Sequence, residues 1–169
     1  MDHDGDFSAY ASARWGTLVR SAVFLGCTVD EAQDLAQTTL LRCYTSWRRV
    51  QKADDPDAYI YKILLNCHRD SRRRRWWGER PSDALPERPT GVDDTSAVDI
   101  ADAVDRALGE LSKVNRQVVV LRYYAHLSEH QTAQVLGIAP GTVKSRLSRA
   151  LAQLAASSHL KDLTEGPTR

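Results

Sequence analysis

The stretch SEHQTAQVLGIAPGTVKSRL, residues 128–147, decides the fold. Ser128 can accept a hydrogen bond from the open N–H groups at the start of a helix. Gly137 suits the left-handed turn that ends one. Ala133, four residues before that glycine, is small enough for a second helix to cross over it. Pro140 stands where the next helix begins, a place where its missing N–H costs nothing. From there Val143, Leu147, Ala150, Leu151 and Leu154 form one apolar stripe, while Lys144, Ser145, Ser148 and Arg149 fall on another side. Apolar residues would hold such a helix on its domain while polar ones reach the major groove of DNA. A plain helical hairpin with a solvated basic face is the bland alternative. The cap, the small residue and the glycine at these spacings favour a helix-turn-helix, which by itself does not choose among classes of regulator.

Working outward, 169 residues allow one domain or two small ones. Apolar residues at 42% and charged residues at 27% are ordinary for a folded chain. The 23 Lys and Arg nearly cancel the 22 Asp and Glu, and a net +1 argues on average against a polyanion partner. The average hides a sorting. Residues 62–80 carry seven basic side chains against two acids, a local +5. Residues 81–111 carry eight acids against two bases, a local −6, and residues 112–150 return to +5. The acidic middle also holds Gly78, Pro81, Pro86, Pro89 and Gly91 with no apolar periodicity between them. Such a stretch predicts a flexible acidic linker over 78–98, between a first domain at 6–77 and a second at 99–160, with a tail at 161–169. An acidic linker could fold back on the basic faces, so the free chain is expected to bind DNA weakly.

No segment alternates as a strand does, so the expected class is all-α. Helices are predicted over about 7–25, 30–49 and from 54–57 to Trp77, then about 99–110, 113–125, 128–136 and 140–157. In the second helix Ala32, Leu35, Ala36, Leu40, Cys43, Tyr44 and Trp47 make the apolar stripe, and in the third Ile60, Ile63, Leu64 and Cys67 do. Val118–Leu121 is β-prone but reads better as a buried helical turn. Cys27, Cys43 and Cys67 are too scattered for a disulfide framework or a zinc cluster, so reduced thiols and no metal are expected. No apolar run approaches the roughly 20 residues that span a bilayer. The acidic Met1–Asp6 lacks the positive charge of a signal peptide, so the expectation is a cytoplasmic protein without membrane insertion.

Lys62, Asn66, Arg69 and Arg73 are spaced 4, 3 and 4 along the third helix, opposite its apolar stripe. Arg72 to Arg75 add charge, and Trp76 and Trp77 follow. Arginines meet phosphates without regard to sequence, amides read base edges, and aromatic rings stack on bases. The concentration of charge favours nucleic acid over a merely solvated face, whereas the two tryptophans are expected to pack as core. On the second helix Asp34, Gln37, Thr38, Leu41 and Arg42 lie off the stripe, and one outward leucine on such a face means little alone. The five histidines meet no convergent carboxylate or nucleophile, and no glycine-rich phosphate loop occurs, so no enzyme and no cofactor are expected.

Four pieces together carry a resemblance. They are Asp30–Gln37, Tyr59–Asn66 with its arginine-rich continuation, Leu111–Tyr123, and Gly141–Leu147 with Arg149 and Ala150. In this order and spacing the chain resembles a group IV, or extracytoplasmic-function, sigma factor of bacterial RNA polymerase, of the sigma-70 family. The resemblance covers about residues 7–157. It implies a σ2-like bundle of three to four helices and a σ4-like helix-turn-helix domain, with no catalytic site. By position, Asp34, Gln37, Thr38, Leu41 and Arg42 would face the clamp helices of the polymerase β′ subunit, and the second domain would meet the β flap. The loop 51–57, with Lys52, Ala53, Asp54 and Asp55, would capture a base flipped from the −10 element. Tyr59, Lys62, Asn66, Arg69 and Arg73 would line promoter DNA. Thr142, Lys144, Ser145, Ser148 and Arg149 would contact the −35 element as duplex. The linker would thread polymerase channels that otherwise hold nucleic acid, and an anti-sigma factor is a possible partner. Thr38 departs from the acid that usually follows the glutamine, Ala139 replaces a frequent capping serine, and the tryptophan pair is unusual. A two-component or quorum-type effector domain shares the Thr-Val-Lys-Ser helix but follows a βα domain, where this chain has three helices. An anti-sigma factor or adaptor would bind polymerase without reading DNA.

Overall fold

A computed structural model describes residues 3–78 and 95–164 of the chain. In order they form α1 (His3–Phe24), α2 (Val29–Thr45), α3 (Trp47–Gln51), α4 (Pro56–Gly78), α5 (Thr95–Glu110), α6 (Lys113–Val119), a π-helical turn (Val120–Tyr124), α7 (Glu129–Leu136), α8 (Pro140–Ala156) and α9 (Ser158–Thr164). No strand occurs among the described residues, and no helix among them is long and apolar enough to cross a membrane. The all-α class is as the sequence predicts. Most of the expected linker, residues 79–94, lies outside the described residues, as do 165–169. Helix α5 begins at Thr95 rather than 99, and α9 carries the helical path to Thr164, into the segment expected to fray.

Helix α2 starts on a reciprocal cap. The Glu31 N–H donates to Thr28 Oγ1 at 3.3 Å, and the Thr28 N–H donates to Glu31 Oε2 at 2.9 Å. One helix was expected over 30–49, but the chain breaks at Ser46, whose ψ of 23° leaves the helical range. The hydroxyls of Thr45 and Ser46 both donate to the Arg42 carbonyl, at 2.9 and 2.8 Å. Such side-chain donors compete with the helix's own ladder and favour a stop. The break turns Trp47 and Val50 into the core on the short α3. Tyr44, expected in the core stripe, is 40% exposed and donates to Asp4 Oδ1 at 3.0 Å. Thr39 is buried instead, its hydroxyl satisfied by the Leu35 carbonyl at 2.7 Å.

The core of the first half joins Leu18 and Ala22 of α1 to Leu35, Ala36 and Leu40 of α2 and to Ile60 and Leu64 of α4. Phe7 and Tyr10 lay their rings on Trp47 at 5.3 and 4.9 Å between centroids, within the range of favourable aromatic pairs. Ser21 and Tyr61 share a buried hydroxyl contact of 3.1 Å.

The β-prone run Val118–Leu121 is buried and helical, as expected. Four successive residues cannot share one helix face, so this segment must be covered on two sides. Val118 packs with Ala133 and Val143, and Val119 with Leu108, Leu111 and Ala150. Val120 and Leu121, in the π-helical turn, instead join the core of the first half, together with Leu127 and Val135. Phe24 meets Tyr124 edge-on at 5.0 Å. The two halves therefore pack directly on each other through apolar side chains.

Candidate nucleic-acid interface

The cap at Ser128 and the turn at Gly137 form as the sequence requires. The Gln131 N–H donates to Ser128 Oγ at 3.1 Å, and the Gln131 side chain accepts in return from the Ser128 N–H. Gly137 has φ +66°, and its N–H donates to the Ala133 carbonyl. Ala133 is buried against Val118 and Val143, so its small side chain lets α7, α6 and α8 converge. Ala139 supplies no side-chain cap. Its carbonyl accepts instead from the Thr142 and Val143 N–H groups, at 3.0 and 3.2 Å, and Pro140 opens the helix. Lys144, Ser145, Ser148 and Arg149 are exposed and Thr142 is half-buried. The Arg149 Nε donates to the Ser145 carbonyl at 3.3 Å, drawing the guanidinium along the helix. One member of the expected apolar stripe, Leu151, is exposed. Val143 and Ala150 anchor α8, with Leu147 and Leu154 partly covered.

Helix α4 also begins on an aspartate. Asp55 Oδ1 accepts from the Ala58 N–H at 3.0 Å. Lys62, Arg69 and Arg73 are exposed, and Asn66 is half-buried with its carbonyl oxygen accepting from Arg69 Nη2 at 3.1 Å. Tyr59 is half-buried against the core. In the loop before it Lys52 and Asp54 are exposed, and Ala53 and Asp55 half-buried. Besides the expected Ile60, Leu64 and Cys67, α4 also buries Tyr61, Leu65 and His68. It can do so because α2 packs on it from the first half and α7 from the second. Trp76 and Trp77 are not core: they are 88% and 83% exposed. The expectation of packing failed because α4 runs on past the bundle, where no neighbour among the described residues covers its last turn.

On α2, Asp34, Gln37, Leu41 and Arg42 are exposed and Thr38 half-buried. Leu41 is 61% exposed, and Arg42 pairs with Asp70 of α4 at 3.4 Å. Between α2 and α4 lies a cleft of about 310 Å³ lined by Glu31, Asp34, Thr38, His68, Arg72 and Arg75 among others. Burial alone would raise the Glu31 pKa, but the Thr28 N–H and the paired Arg75 outweigh it and hold the carboxyl below its usual value. Burial, with Arg72, Lys113 and Arg75 adding to it, depresses His68 to about 4, so this histidine is neutral at physiological pH. Burial likewise pushes the Cys27 thiol up to about 11 and Cys43 to about 12, which makes both poor nucleophiles. No cluster of His, Cys, Asp or Glu able to hold a metal occurs among the described residues.

One contact that sequence reasoning missed joins the two predicted DNA-reading regions. Gln131 of α7 donates through Nε2 to Asp55 Oδ2, beside the start of α4. Both side chains also serve helix starts, and nothing in their spacing signals that they meet.

Residues 7–78 match the family described as Sigma-70 region 2, and residues 101–154 match Sigma-70, region 4. The RNA polymerase sigma-E factor of Streptomyces coelicolor is 37% identical over 158 residues, spanning 94% of this chain and 89% of that protein. The ECF RNA polymerase sigma factor SigL of Mycobacterium tuberculosis is 33% identical over 159 residues, spanning 88% and 84%. Among solved structures, the sigma factor RpoE from Bartonella quintana, in complex with the anti-sigma factor NepR, superposes with a TM-score of 0.71 at 27% identity. The match covers 92% of this chain and 97% of that one.

Proposed function

The chain belongs to the extracytoplasmic-function sigma factors of the sigma-70 family, and on that premise we propose that it binds core RNA polymerase in the cytoplasm and directs transcription initiation at the promoters of one regulon. The first half, 6–77, acts as the σ2 domain and the second, 99–160, as the σ4 domain, with 78–98 as the linker between them. Asp34, Gln37, Thr38, Leu41 and Arg42 dock on the β′ clamp helices, which accounts for an apolar Leu41 held out in solvent. The σ4 domain meets the β flap and presents Thr142, Lys144, Ser145, Ser148 and Arg149 to the −35 duplex. Residues 52–55 hold a flipped −10 base, and Tyr59, Lys62, Asn66, Arg69 and Arg73 line the adjoining DNA. An anti-sigma factor is the expected inhibitory partner.

The mechanism spends no ATP. Polymerase holds the two halves on the promoter, and capture of an unpaired base offsets a few kcal/mol of unpairing. Binding the open form better than the closed one shifts the DNA toward melting. The protein acts as a regulatory subunit, and bond making stays with polymerase.

The observation that carries this reading is the pair of exposed polar faces, on α4 and on α8, each backed by buried apolar residues of its own helix. The test is transcription by purified chain plus core polymerase on a genomic promoter library, with start sites mapped. Discrete starts that require the chain are expected. Lys144→Ala with Arg149→Ala should weaken them at least tenfold, since each removes a groove or phosphate contact worth about 1 kcal/mol or more. An absence of chain-dependent starts would refute the proposal. Polymerase binding that persists without any loss from the α8 variants would favour an adaptor.

A further inference from the structure

Trp76 and Trp77 are the two most exposed large apolar side chains among the described residues, at 88% and 83%. They sit in the last turn of α4, directly after four arginines. Two indoles in water on a helix end are costly unless something covers them. The helix itself shows what that something meets next. With a helical turn of about 100° per residue, Tyr59, Lys62, Asn66, Arg69, Arg73, Trp76 and Trp77 all fall within an arc of about 100°. The tryptophans stand three and four residues beyond Arg73, the same spacing that links the earlier members. They therefore continue the face that carries Lys62, Arg69 and Arg73, all exposed. Arg75 lies nearly opposite this face and pairs with Glu31 in the cleft against α2. From Tyr59 to Trp77 the stripe runs about 27 Å at about 1.5 Å per residue.

We propose that Trp76 and Trp77 form a stacking platform for unpaired bases of single-stranded DNA, at the far end of the α4 stripe from the loop that takes the −10 base. The inference rests on the reading of α4 as the promoter-facing helix. Phosphates of the strand meet Lys62, Arg69 and Arg73, and the indoles take the flat faces of bases that have left the duplex. Stacking is tolerant of sequence because every base has a π-face. Paired bases keep their faces inside the duplex, so the platform discriminates melted from closed DNA without reading identity. Among the described residues nothing covers this surface while the two halves are packed together, so it can be probed on the free chain.

The experiment measures binding of a fluorescein-labelled single-stranded oligonucleotide of mixed sequence, and of its duplex, by anisotropy over a range of salt. It uses the full chain alone and the chain bound to core polymerase. Trp76→Ala with Trp77→Ala should weaken the single strand at least about tenfold, from about 1–3 kcal/mol per stacked base, and change the duplex about twofold or less. Trp76→Phe with Trp77→Phe should recover most of the loss. The slope of log K against log salt should not move in either variant, because no charge is removed. Arg69→Ala with Arg73→Ala is the control for the underlying reading and should lower that slope by about one to two. If the arginine variant changes neither affinity nor slope, the promoter-facing role of α4 fails. If the arginine variant behaves as stated while the alanine pair binds single strand like wild type, the stacking platform alone fails. Equal loss on duplex and single strand, or no tryptophan-dependent binding in either setting, also overturns it. Tryptophan-dependent binding to phosphatidylglycerol vesicles in place of single strand would assign the surface to a membrane and overturn it as well.

Discussion

Gln131 Nε2 donates a hydrogen bond to Asp55 Oδ2 and so ties the first turn of α7 to the start of α4. Both side chains already serve as caps, Asp55 for the Ala58 N–H and Gln131 for the Ser128 N–H. The loop assigned to the −10 base and the helix-turn-helix assigned to the −35 element are thus locked to one another while this contact holds.

The contact can be tested without breaking either cap. Gln131→Glu keeps an oxygen for the Ser128 N–H, since glutamate serves that position as well as glutamine. It sets a carboxylate against Asp55 and forfeits a hydrogen bond to a charged group, a loss of about 2 kcal/mol. Small-angle scattering should show a larger radius of gyration for this variant. Adding Asp55→Asn should restore compactness, because the new amide can donate to the carboxylate while its oxygen still caps Ala58. Unchanged scattering for the single variant would mean that apolar packing alone holds the halves.

That packing is the subject of a second prediction. Leu127 follows the π-helical turn and is fully buried in the core of the first half. Leu127→Ala should cost about 3 kcal/mol, from lost transfer energy and a residual cavity. Because one apolar cluster spans both halves, wild type should melt in one transition. The variant should melt lower and show the halves separating before they unfold. Two separate transitions already present in wild type would refute the shared core.

Much of this was legible in the sequence, for local reasons. The cap at Ser128, the αL glycine at 137 and Pro140 are encoded within three or four residues, and each forms as read. The polar stripes on α2, α4 and α8 are largely exposed, with Thr38, Tyr59, Asn66 and Thr142 half-buried, because helical periodicity sets them away from the apolar stripes. What the sequence did not disclose depends on partners far along the chain. Tyr44 faces outward and donates to Asp4, forty positions away, and Leu65 and His68 are buried because α4 has neighbours on two sides. The tryptophans were expected inside on hydrophobicity, yet α4 outruns the described bundle that would cover them. The Gln131–Asp55 contact spans 76 positions and has no periodic signature.

Two glycines with positive φ separate backbone strain from crowding. Gly137 has φ +66° and nothing within 4 Å of where a Cβ would stand. Gly137→Ala should therefore cost only the left-handed penalty of about 1–2 kcal/mol. Gly26, at φ +98°, would place a Cβ 2.4 Å from Arg116 Nη1, a side chain of the second half. Arg116 is held in turn by its Nε donating to the Leu108 carbonyl at 2.7 Å. Gly26→Ala should cost more than Gly137→Ala and should also loosen the packing of the halves, read as earlier opening in scattering against temperature. Equal costs in chemical unfolding would show that Arg116 moves aside freely.

The last prediction concerns acid. His68 is buried on α4, and neither ring nitrogen has a hydrogen-bond partner among the described residues. Its pKa falls from 6.5 to about 4, through burial first and then through Arg72 and Lys113. Protonation would put a cation into the core beside other cations. The unfolded chain takes up this proton near pH 6.5, the folded chain only near pH 4. Between those values the unfolded state binds more protons, so stability drops as pH falls through the window. At about pH 5 the chain should be about 2 kcal/mol less stable than at about pH 7 on account of this group. Glu31 acts in the same direction, but only below the usual carboxylate range, because its pKa is lowered. His68→Leu fills a similar space without a titrating group. Its urea unfolding curves should differ less between the two pH values by about the same 2 kcal/mol. An undiminished pH dependence in that variant would place the acid sensitivity elsewhere.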